Sequence, residues 1–224
     1  MIPWEHLDTA QVPGGGELRL MRRGAEFSIK LGSNELMNNR LSATEQALAT
    51  IGCDKIRTRA CPKILIGGLG MGFTLRAALI VLGEEAQIIV AELVPAVVAW
   101  AGGPMAKLFG TSLTDPRVHI RETDVGELIH AARSEYDAIL LDVDNGPDGM
   151  TREANDRLYD LEGLAAAYRA LRPGGVLAVW SSAPDRKFTA RLRKAGFQVV
   201  ENPVRAKGPQ GGAQHFIWTA TRGD

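Results

Sequence analysis

The segment 63–82 constrains the fold of this 224-residue chain more than any other segment. It begins with a short apolar run rich in β-branched residues, typical of a buried strand, and ends with an apolar run long enough for a buried helix. Four glycines lie between these runs: Gly67, Gly68, Gly70 and Gly72. Glycine lets the backbone turn tightly and lets a ligand approach without meeting a Cβ atom. Because the first N–H groups of the helix point over the turn, the segment predicts a nucleotide or nucleoside site.

The spacing of the glycines narrows the class of ligand. No lysine follows Gly72, so a P-loop that cradles phosphates is not expected. Phe73 stands where the dinucleotide fingerprint needs its third glycine. The pattern G-x-G-x-G after a first strand is instead typical of folds that bind S-adenosyl nucleosides. A tight turn without any ligand is the alternative that the glycines leave open.

A second feature is Glu92, which ends the next apolar run, 87–91. It lies about 20 residues beyond the last glycine, where βαβ units of this kind carry an acidic ribose-binding residue. A carboxylate at the tip of a strand can accept hydrogen bonds from both ribose hydroxyls. The alternative is that Glu92 is a solvated cap of a helix predicted at 95–107, where Pro95 suits the first turn.

Composition limits the class of protein. Hydrophobic residues make up 45% of the chain and charged residues 23%, and the net charge is zero, so one domain with a small appendage is expected and nucleic-acid binding is not. No apolar run approaches the roughly 18 residues of a membrane span, and the first residues do not resemble a signal peptide. We therefore expect a cytoplasmic protein without membrane contact. Cys53 and Cys61 have no metal-ligand spacing, and no metal is expected.

The N-terminal part predicts a small β element. Residues 1–16 end in a proline and three glycines and are predicted to be a flexible lead-in. Alternating polar and apolar residues predict a β-hairpin and a further short strand: 17–21, 26–30 and 35–37. Ser42 and Glu45 have the spacing of a capping box, which predicts a helix through about Ile51.

Strands and helices alternate in the rest of the chain. The strand candidates are 63–66, 87–91, 117–121, 137–142, 174–181, 197–201 and 214–220. The helix candidates are 72–82, 95–107, 125–134, 156–171 and 185–195. This order predicts an α/β fold with a mostly parallel sheet and helices on both faces. The last strand follows a loop rather than a helix, so it is predicted to be antiparallel. We divide the chain into an N-terminal element, 1–55, and a nucleoside-binding domain, 56–224.

Ligands of open α/β sheets lie outside the carboxyl ends of the strands, so the residues that follow each strand are the site candidates. Asp124 follows the third strand of the alternating series and can accept a hydrogen bond from an adenine amino group, or it can cap the helix that begins at Val125. Asp142 and Asp144 follow the next strand. They are predicted catalytic residues, because a carboxylate there can stabilise a sulfonium or take a proton from an attacking nitrogen. The alternative is a turn built from good turn residues.

Two aromatic residues are weaker candidates. Trp180 is expected to pack in the core rather than line a pocket. His215 has no partner that can be identified from the sequence. The predicted cofactor-binding residues are therefore Gly67, Gly68, Gly70, Gly72, Glu92, Leu93, Asp124, Val125 and Asp142.

From about Leu18 to Ala220 the chain resembles the spermidine synthase family, whose core is the class I S-adenosylmethionine methyltransferase (Rossmann-like) fold. The motifs that carry this resemblance lie in order along the chain: 35–45, 66–72, Glu92, 115–118, 136–142 and 171–175. The resemblance implies a nucleoside pocket formed by the glycine turn, Glu92, Asp124 and Asp142. It also implies a homodimer.

Two departures from the family pattern bear on the reaction. The family carries an aspartate in the glycine turn that holds the aminopropyl ammonium, and Gly70 stands at that position. The second aspartate of the family's catalytic loop falls on Asn145. A cationic polyamine would then meet fewer carboxylates than its desolvation requires.

These departures lead us to expect methyl transfer from S-adenosylmethionine to a small acceptor, without a metal. One alternative is a divergent polyamine aminopropyltransferase that uses decarboxylated S-adenosylmethionine. The other is a nucleoside-binding homologue that has lost its chemistry.

Overall fold

The computed structural model describes residues 2–143 and 157–224, which form two β-sheets. The first sheet is antiparallel, with the strands in chain order: β1 (Glu5–Gln11), β2 (Glu17–Arg23), β3 (Glu26–Leu31) and β4 (Asn34–Asn38). The predicted hairpin is therefore present as β2 and β3. The prediction of a flexible lead-in was wrong, because β1 pairs with β2. The residues of β1 are exposed or only partly buried, so its sequence lacks the apolar alternation that marks a half-buried strand.

The second sheet has seven strands, in the order β10-β11-β9-β8-β5-β6-β7. Their bounds are β5 (Lys63–Gly67), β6 (Gln87–Glu92), β7 (Val118–Glu122), β8 (Tyr136–Leu141), β9 (Leu171–Ser181), β10 (Gln198–Arg205) and β11 (Gln214–Thr221). Strands β5 to β9 are parallel, and β11 is antiparallel to both β9 and β10. This topology confirms the predicted fold class. The chain leaves β5 toward β6 and β7 and later returns to β8, so the strand order reverses between β5 and β8, where such sheets bind ligands.

Seven α-helices have both ends within the described ranges, and residues 157–159 are also helical. They are α1 (Ala43–Cys53), α2 (Phe73–Val81), α3 (Pro95–Gly102), α4 (Ala106–Phe109), α5 (Val125–Ala131), α6 (Leu161–Ala170) and α7 (Arg186–Lys194). The helix predicted at 95–107 is split, because the chain leaves the helical conformation at Gly103 and Pro104, between α3 and α4. The predicted start of the helix at residue 156 lies outside the described residues.

Each face of the seven-stranded sheet has its own core. Side chains alternate along β5, so Ile64 and Ile66 contact one core and Leu65 the other. The first core also contains buried residues of the N-terminal sheet, such as Leu20 and Ile29, and of helices α1 to α3. The second core contains residues of α5 to α7. The N-terminal sheet is thus packed on the same core as one face of the larger sheet, above the carboxyl ends of the strands.

No helix of the part described by the structure is both long and apolar enough to cross a membrane.

Gly72 shows how tightly the start of α2 is packed. Its φ is +74°, and a Cβ atom there would lie 2.4 Å from the ring of Phe109. We expect Gly72→Ala to lower the free energy of unfolding by roughly 2–4 kcal/mol, through overpacking and left-handed backbone strain. Urea denaturation measures this loss. Gly83→Ala is the control, because a Cβ atom at that position would meet no packed neighbour within 4 Å; an equal loss in both variants would contradict the packing argument.

Candidate functional site

A cavity of about 210 Å³ lies at the carboxyl ends of β5, β6 and β8 and beside the loop that follows β7. The N-terminal sheet and its loops supply one wall, which is mostly apolar: Val12, Leu18, Ile29, Leu31, Leu36 and Met37. The sequence predicted this sheet as an appendage and gave no signal that it encloses a site. Its contribution depends on how the two sheets pack, which no local pattern encodes.

Two of the predicted glycines, Gly68 and Gly70, line the cavity. Gly68 has a φ of +90°, and a Cβ atom there would lie 2.6 Å from the carbonyl oxygen of Asp142. Only glycine therefore lets the end of β5 pass the end of β8 at this distance. Gly70 also has a positive φ, +51°, and its Cβ would lie 3.2 Å from Sδ of Met37. The turn is thus covered by the N-terminal sheet at Gly70.

The other two predicted glycines are constrained by packing. A Cβ atom on Gly67 would lie 3.1 Å from side-chain atoms of both Leu141 and Val125. Gly72 faces the ring of Phe109, as described above. Neither glycine is among the described residues that line the cavity. Contact of these two glycines with a ligand stays a prediction.

Glu92 lies at the tip of β6, lines the cavity and is 8% exposed. Its Oε2 accepts a hydrogen bond from the Leu69 N–H at 3.0 Å, and its Oε1 accepts one from the Val94 N–H at 2.9 Å. Burial raises the pKa of Glu92, and hydrogen bonds from backbone N–H groups, including those of Gly70 and Leu93, oppose that rise. The carboxylate therefore fastens the glycine turn to β6, a role that the sequence did not predict. It is not a solvated cap, and ribose binding stays a prediction.

Asp124 is the N-cap residue of α5, and its Oδ1 accepts a hydrogen bond from the Gly126 N–H at 2.7 Å. It also lines the cavity, together with Thr123, Val125 and Leu93. The helix-capping alternative is therefore confirmed. Contact with an adenine amino group stays a prediction, and the position of Asp124 on the cavity wall is compatible with it.

Asp142 follows β8 directly and faces the cavity. Burial, followed by the charge of Glu45, raises the pKa of its carboxyl group from 3.8 to about 7. The Thr74 hydroxyl opposes this rise, since it donates a hydrogen bond to Oδ2 of Asp142 at 2.7 Å. A carboxyl group with a pKa near neutrality can exchange a proton with a substrate. The second predicted catalytic residue, Asp144, lies outside the described residues.

Glu45 lines the cavity, although the sequence suggested only a capping role for it. The predicted capping box does not form, because the Ser42 side chain makes no capping hydrogen bond. The Gln46 side-chain amide instead donates to the Ser42 hydroxyl at 3.0 Å. Oε2 of Glu45 accepts a hydrogen bond from the Thr44 hydroxyl at 2.8 Å. The spacing of a capping box was therefore a misleading signal.

Trp180 also lines the cavity, so its predicted role as a core residue was incomplete. Its ring packs edge-on against His215, with 5.0 Å between the ring centroids. Nε1 of Trp180 is buried and has no hydrogen-bond partner among the described residues. Burial lowers the pKa of His215, so this side chain is neutral at pH 7.

The charged side chains on the described part of the cavity wall are all acidic. Across residues 2–143 and 157–224, the lining includes four carboxylates and no lysine, arginine or histidine: Glu45, Glu92, Asp124 and Asp142. Such a wall favours a cationic ligand. Within the same ranges, no group of three or more histidine, cysteine or acidic side chains is arranged to hold a metal ion.

No protein-family model matches the sequence. A polyamine aminopropyltransferase from Mycobacterium tuberculosis (strain CDC 1551 / Oshkosh) is 30% identical over 195 residues, which are 82% of this chain and 35% of the relative. The chain thus spans about a third of that relative's length. Spermidine synthase from Thermotoga maritima superposes with a TM-score of 0.76 at 19% identity, over 97% of this chain and 73% of its own. A spermidine synthase in complex with the transition state analogue AdoDATO gives a TM-score of 0.74 at 19% identity, over 97% and 72%.

These comparisons contradict the expected methyl transfer. The curated relative carries the name of an aminopropyltransferase, and both solved structures are spermidine synthases. The expectation of a methyltransferase was therefore wrong. It gave too much weight to the two missing aspartates, at Gly70 and Asn145, and it did not count Glu45 as a carboxylate of the cavity.

Because the Glu92 carboxylate accepts hydrogen bonds from backbone N–H groups of Leu69 and Val94, we expect Glu92→Gln to destabilise the protein. The amide nitrogen that replaces one oxygen must face a backbone N–H, so one buried donor loses its acceptor. We expect a loss of roughly 1–3 kcal/mol in the free energy of unfolding, measured by urea denaturation. Glu122→Gln is the matched control, since Glu122 is exposed and pairs with Glu92 in register on β7. If both variants are as stable as the wild type, Glu92 does not hold the turn.

The raised pKa of Asp142 predicts a pH-dependent change in stability. Between about pH 4 and pH 7 the folded protein holds a proton on Asp142 that the unfolded chain has released, so this carboxyl group lowers stability progressively as the pH rises. The neutral Asp142→Asn variant lacks this loss. We expect its Tm to exceed that of the wild type by about 3 °C or more at pH 8, and the excess to vanish near pH 4.

Asp115→Asn provides a control of opposite sign, because the Arg117 side chain lowers the pKa of Asp115 to about 2. This substitution should lower the Tm at pH 8, and the difference in Tm from the wild type should shrink as the pH falls toward 2. If the curves of Asp142→Asn and the wild type run parallel from pH 4 to pH 8, the pKa of Asp142 is not raised in the folded state.

Proposed function

The chain belongs to the spermidine synthase-like family, and we propose that it transfers an aminopropyl group from decarboxylated S-adenosylmethionine to an amine acceptor. Its product would be a polyamine, together with 5′-methylthioadenosine. The reaction is proposed for this chain alone, which spans about a third of the length of its named relative.

The observation that carries this proposal is the acidic wall of the cavity, with its four carboxylates and no basic side chain among the described lining residues. Both proposed substrates are cations, since the donor carries a sulfonium and an ammonium and the acceptor carries amines. The carboxylate of S-adenosylmethionine itself would find no basic side chain to pair with among these residues. The decarboxylated donor lacks that group and avoids the cost of burying an unpaired charge.

The transfer step forms one bond and breaks one. The lone pair of a neutral acceptor nitrogen attacks the aminopropyl carbon that is bonded to sulfur. The carbon–sulfur bond breaks, and its electron pair stays on the sulfur, which becomes a neutral thioether. The acceptor ammonium must lose one proton before it can attack, and Asp142 can accept that proton because the pKa of its carboxyl group is about 7. After the transfer the new secondary amine carries the positive charge that the sulfonium has lost.

The remaining side chains position the donor in this proposal. Glu92 would hold the ribose from the tip of β6, and Asp124 the adenine from the start of α5. The turn at Gly68 and Gly70 would leave room for the sulfonium, and the Thr74 hydroxyl keeps Asp142 oriented. Fixing both reactants for in-line attack is the main contribution that a protein makes to such a displacement. The homodimer, the cytoplasmic location and the division of the chain at residue 55 stay predictions.

The proposal is tested by incubating the purified protein with decarboxylated S-adenosylmethionine and putrescine and measuring 5′-methylthioadenosine. We expect turnover with this donor and none with S-adenosylmethionine. Asp142→Asn should lower kcat by roughly 100-fold or more, since the proton acceptor is lost. Asp54→Asn is the control, because Asp54 is exposed and pairs only with Arg57 among the described residues. Binding of the donor without turnover for any diamine or polyamine would contradict the proposed activity.

A further inference from the structure

We propose that Glu45 on α1 binds the aminopropyl ammonium of the donor, and that it does so beside Asp142, which is thereby left for the acceptor amine. This inference rests on the proposed function and assigns a residue to one charged group of the donor. Its basis is that the four carboxylates of the cavity differ in how far their oxygens are already hydrogen-bonded.

Two of the four carboxylates are already engaged by backbone N–H groups. Glu92 accepts hydrogen bonds through both oxygens, from Leu69 and Val94, and Asp124 caps α5. Among the described residues, the only hydrogen-bond donors to the carboxyl groups of Glu45 and Asp142 are hydroxyls, those of Thr44 and Thr74 respectively. A single hydroxyl donor leaves the second oxygen of each carboxyl group without a donor within the described ranges, so these are the two groups most available to a cation.

No cation offsets the charge of Glu45 within the described ranges. None of the ion pairs formed there includes Glu45. His215 on β11 interacts electrostatically with Glu45, but burial outweighs that interaction and lowers the pKa of His215, so it is neutral at pH 7. Besides Asp142 and His215, the described partners of Glu45 are the uncharged hydroxyl groups of Thr44 and Thr74. A bound ammonium group would therefore supply the positive counter-charge for Glu45 that the described residues do not provide.

The strand order, together with the interaction of Glu45 with Asp142 and its contact with Thr74, places Glu45 at the end of the cavity that the aminopropyl arm would reach. Asp124 follows β7, Glu92 ends β6, the glycine turn follows β5, and Asp142 follows β8, in the spatial order β7-β6-β5-β8. Three strand spacings span about 14 Å. A donor with its adenine at Asp124 and its ribose at Glu92 extends its sulfonium arm across the turn toward Asp142 and Glu45.

The closeness of Glu45 and Asp142 gives donor binding a second effect. The charge of Glu45 contributes to the raised pKa of Asp142, and the Thr74 hydroxyl links the two segments, lying 3.3 Å from the Glu45 carbonyl oxygen. When an ammonium neutralises Glu45, that repulsion weakens and the pKa of Asp142 falls. Asp142 then releases its proton near pH 7 and becomes ready to accept one from the acceptor amine.

The test is calorimetric titration with two ligands that differ only in the aminopropyl arm: decarboxylated S-adenosylmethionine and 5′-methylthioadenosine. We expect Glu45→Gln to weaken binding of the first ligand about 10- to 100-fold, as loss of a charge-assisted hydrogen bond does. Binding of the second ligand should change less than about threefold. Glu85→Gln is the control of equal charge change, since Glu85 is exposed in the turn before β6, away from the carboxyl end of that strand.

A second measurement detects whether the protein releases a proton from Asp142 when the donor binds. Titrating the wild type with the donor at pH 7 in buffers of different ionisation enthalpy should show net proton release, and 5′-methylthioadenosine should release none. Glu45→Asp, which keeps the charge, should bind the donor better than Glu45→Gln and serves if the glutamine variant folds poorly. Equal weakening of both ligands, or unchanged donor binding in Glu45→Gln, would overturn the assignment of Glu45. Failure of the wild type to bind either ligand would instead overturn the proposed function, and the assignment with it.

Discussion

The buried carboxylate of Glu92 is the interaction on which the site depends. Its two oxygens accept hydrogen bonds from the backbone on both sides of the cavity floor, at Leu69 in the glycine turn and at Val94 before α3. Glycine-rich turns have many accessible conformations and lose much entropy on folding. A carboxylate with several N–H donors offsets part of that cost, because charge-assisted hydrogen bonds are strong where water is excluded. The turn is consequently open to a ligand and still fixed in position.

Two other acidic groups that the cavity brings together, Glu45 and Asp142, repel each other and can also select the ligand by its charge. Burial, and then the charge of Glu45, raises the pKa of Asp142 to about 7, so the two carboxylates repel each other when both are ionised. Cationic ligands relieve this repulsion, and anionic ones add to it. The selection of substrates can therefore arise from charge, without a dedicated side chain at Gly70. The N-terminal sheet contributes the apolar wall of the cavity, with Met37 lying over Gly70.

Most of the fold could be predicted because its signals are local. The runs of apolar residues in β5, β6 and β8 and the alternation in β2 and β3 are read directly from neighbouring residues. Strand β1 was missed because its side chains are mostly exposed and it is held by backbone pairing with β2. Glu45 was misread for a related reason: a capping box and a cavity carboxylate look identical in sequence, and only the geometry of Ser42 distinguishes them.

The sequence by itself determined the strand–glycine–helix unit, the acidic residue at the tip of β6 and the aspartates after β7 and β8. These follow from periodicity and spacing along the chain. Only the tertiary structure decided which of those carboxylates are already engaged and which face the cavity without a counter-charge. The reason is physical: hydrogen bonds and repulsion act through space, between groups such as Glu45 and Asp142 that are far apart in the chain and meet only when α1 packs against the large sheet.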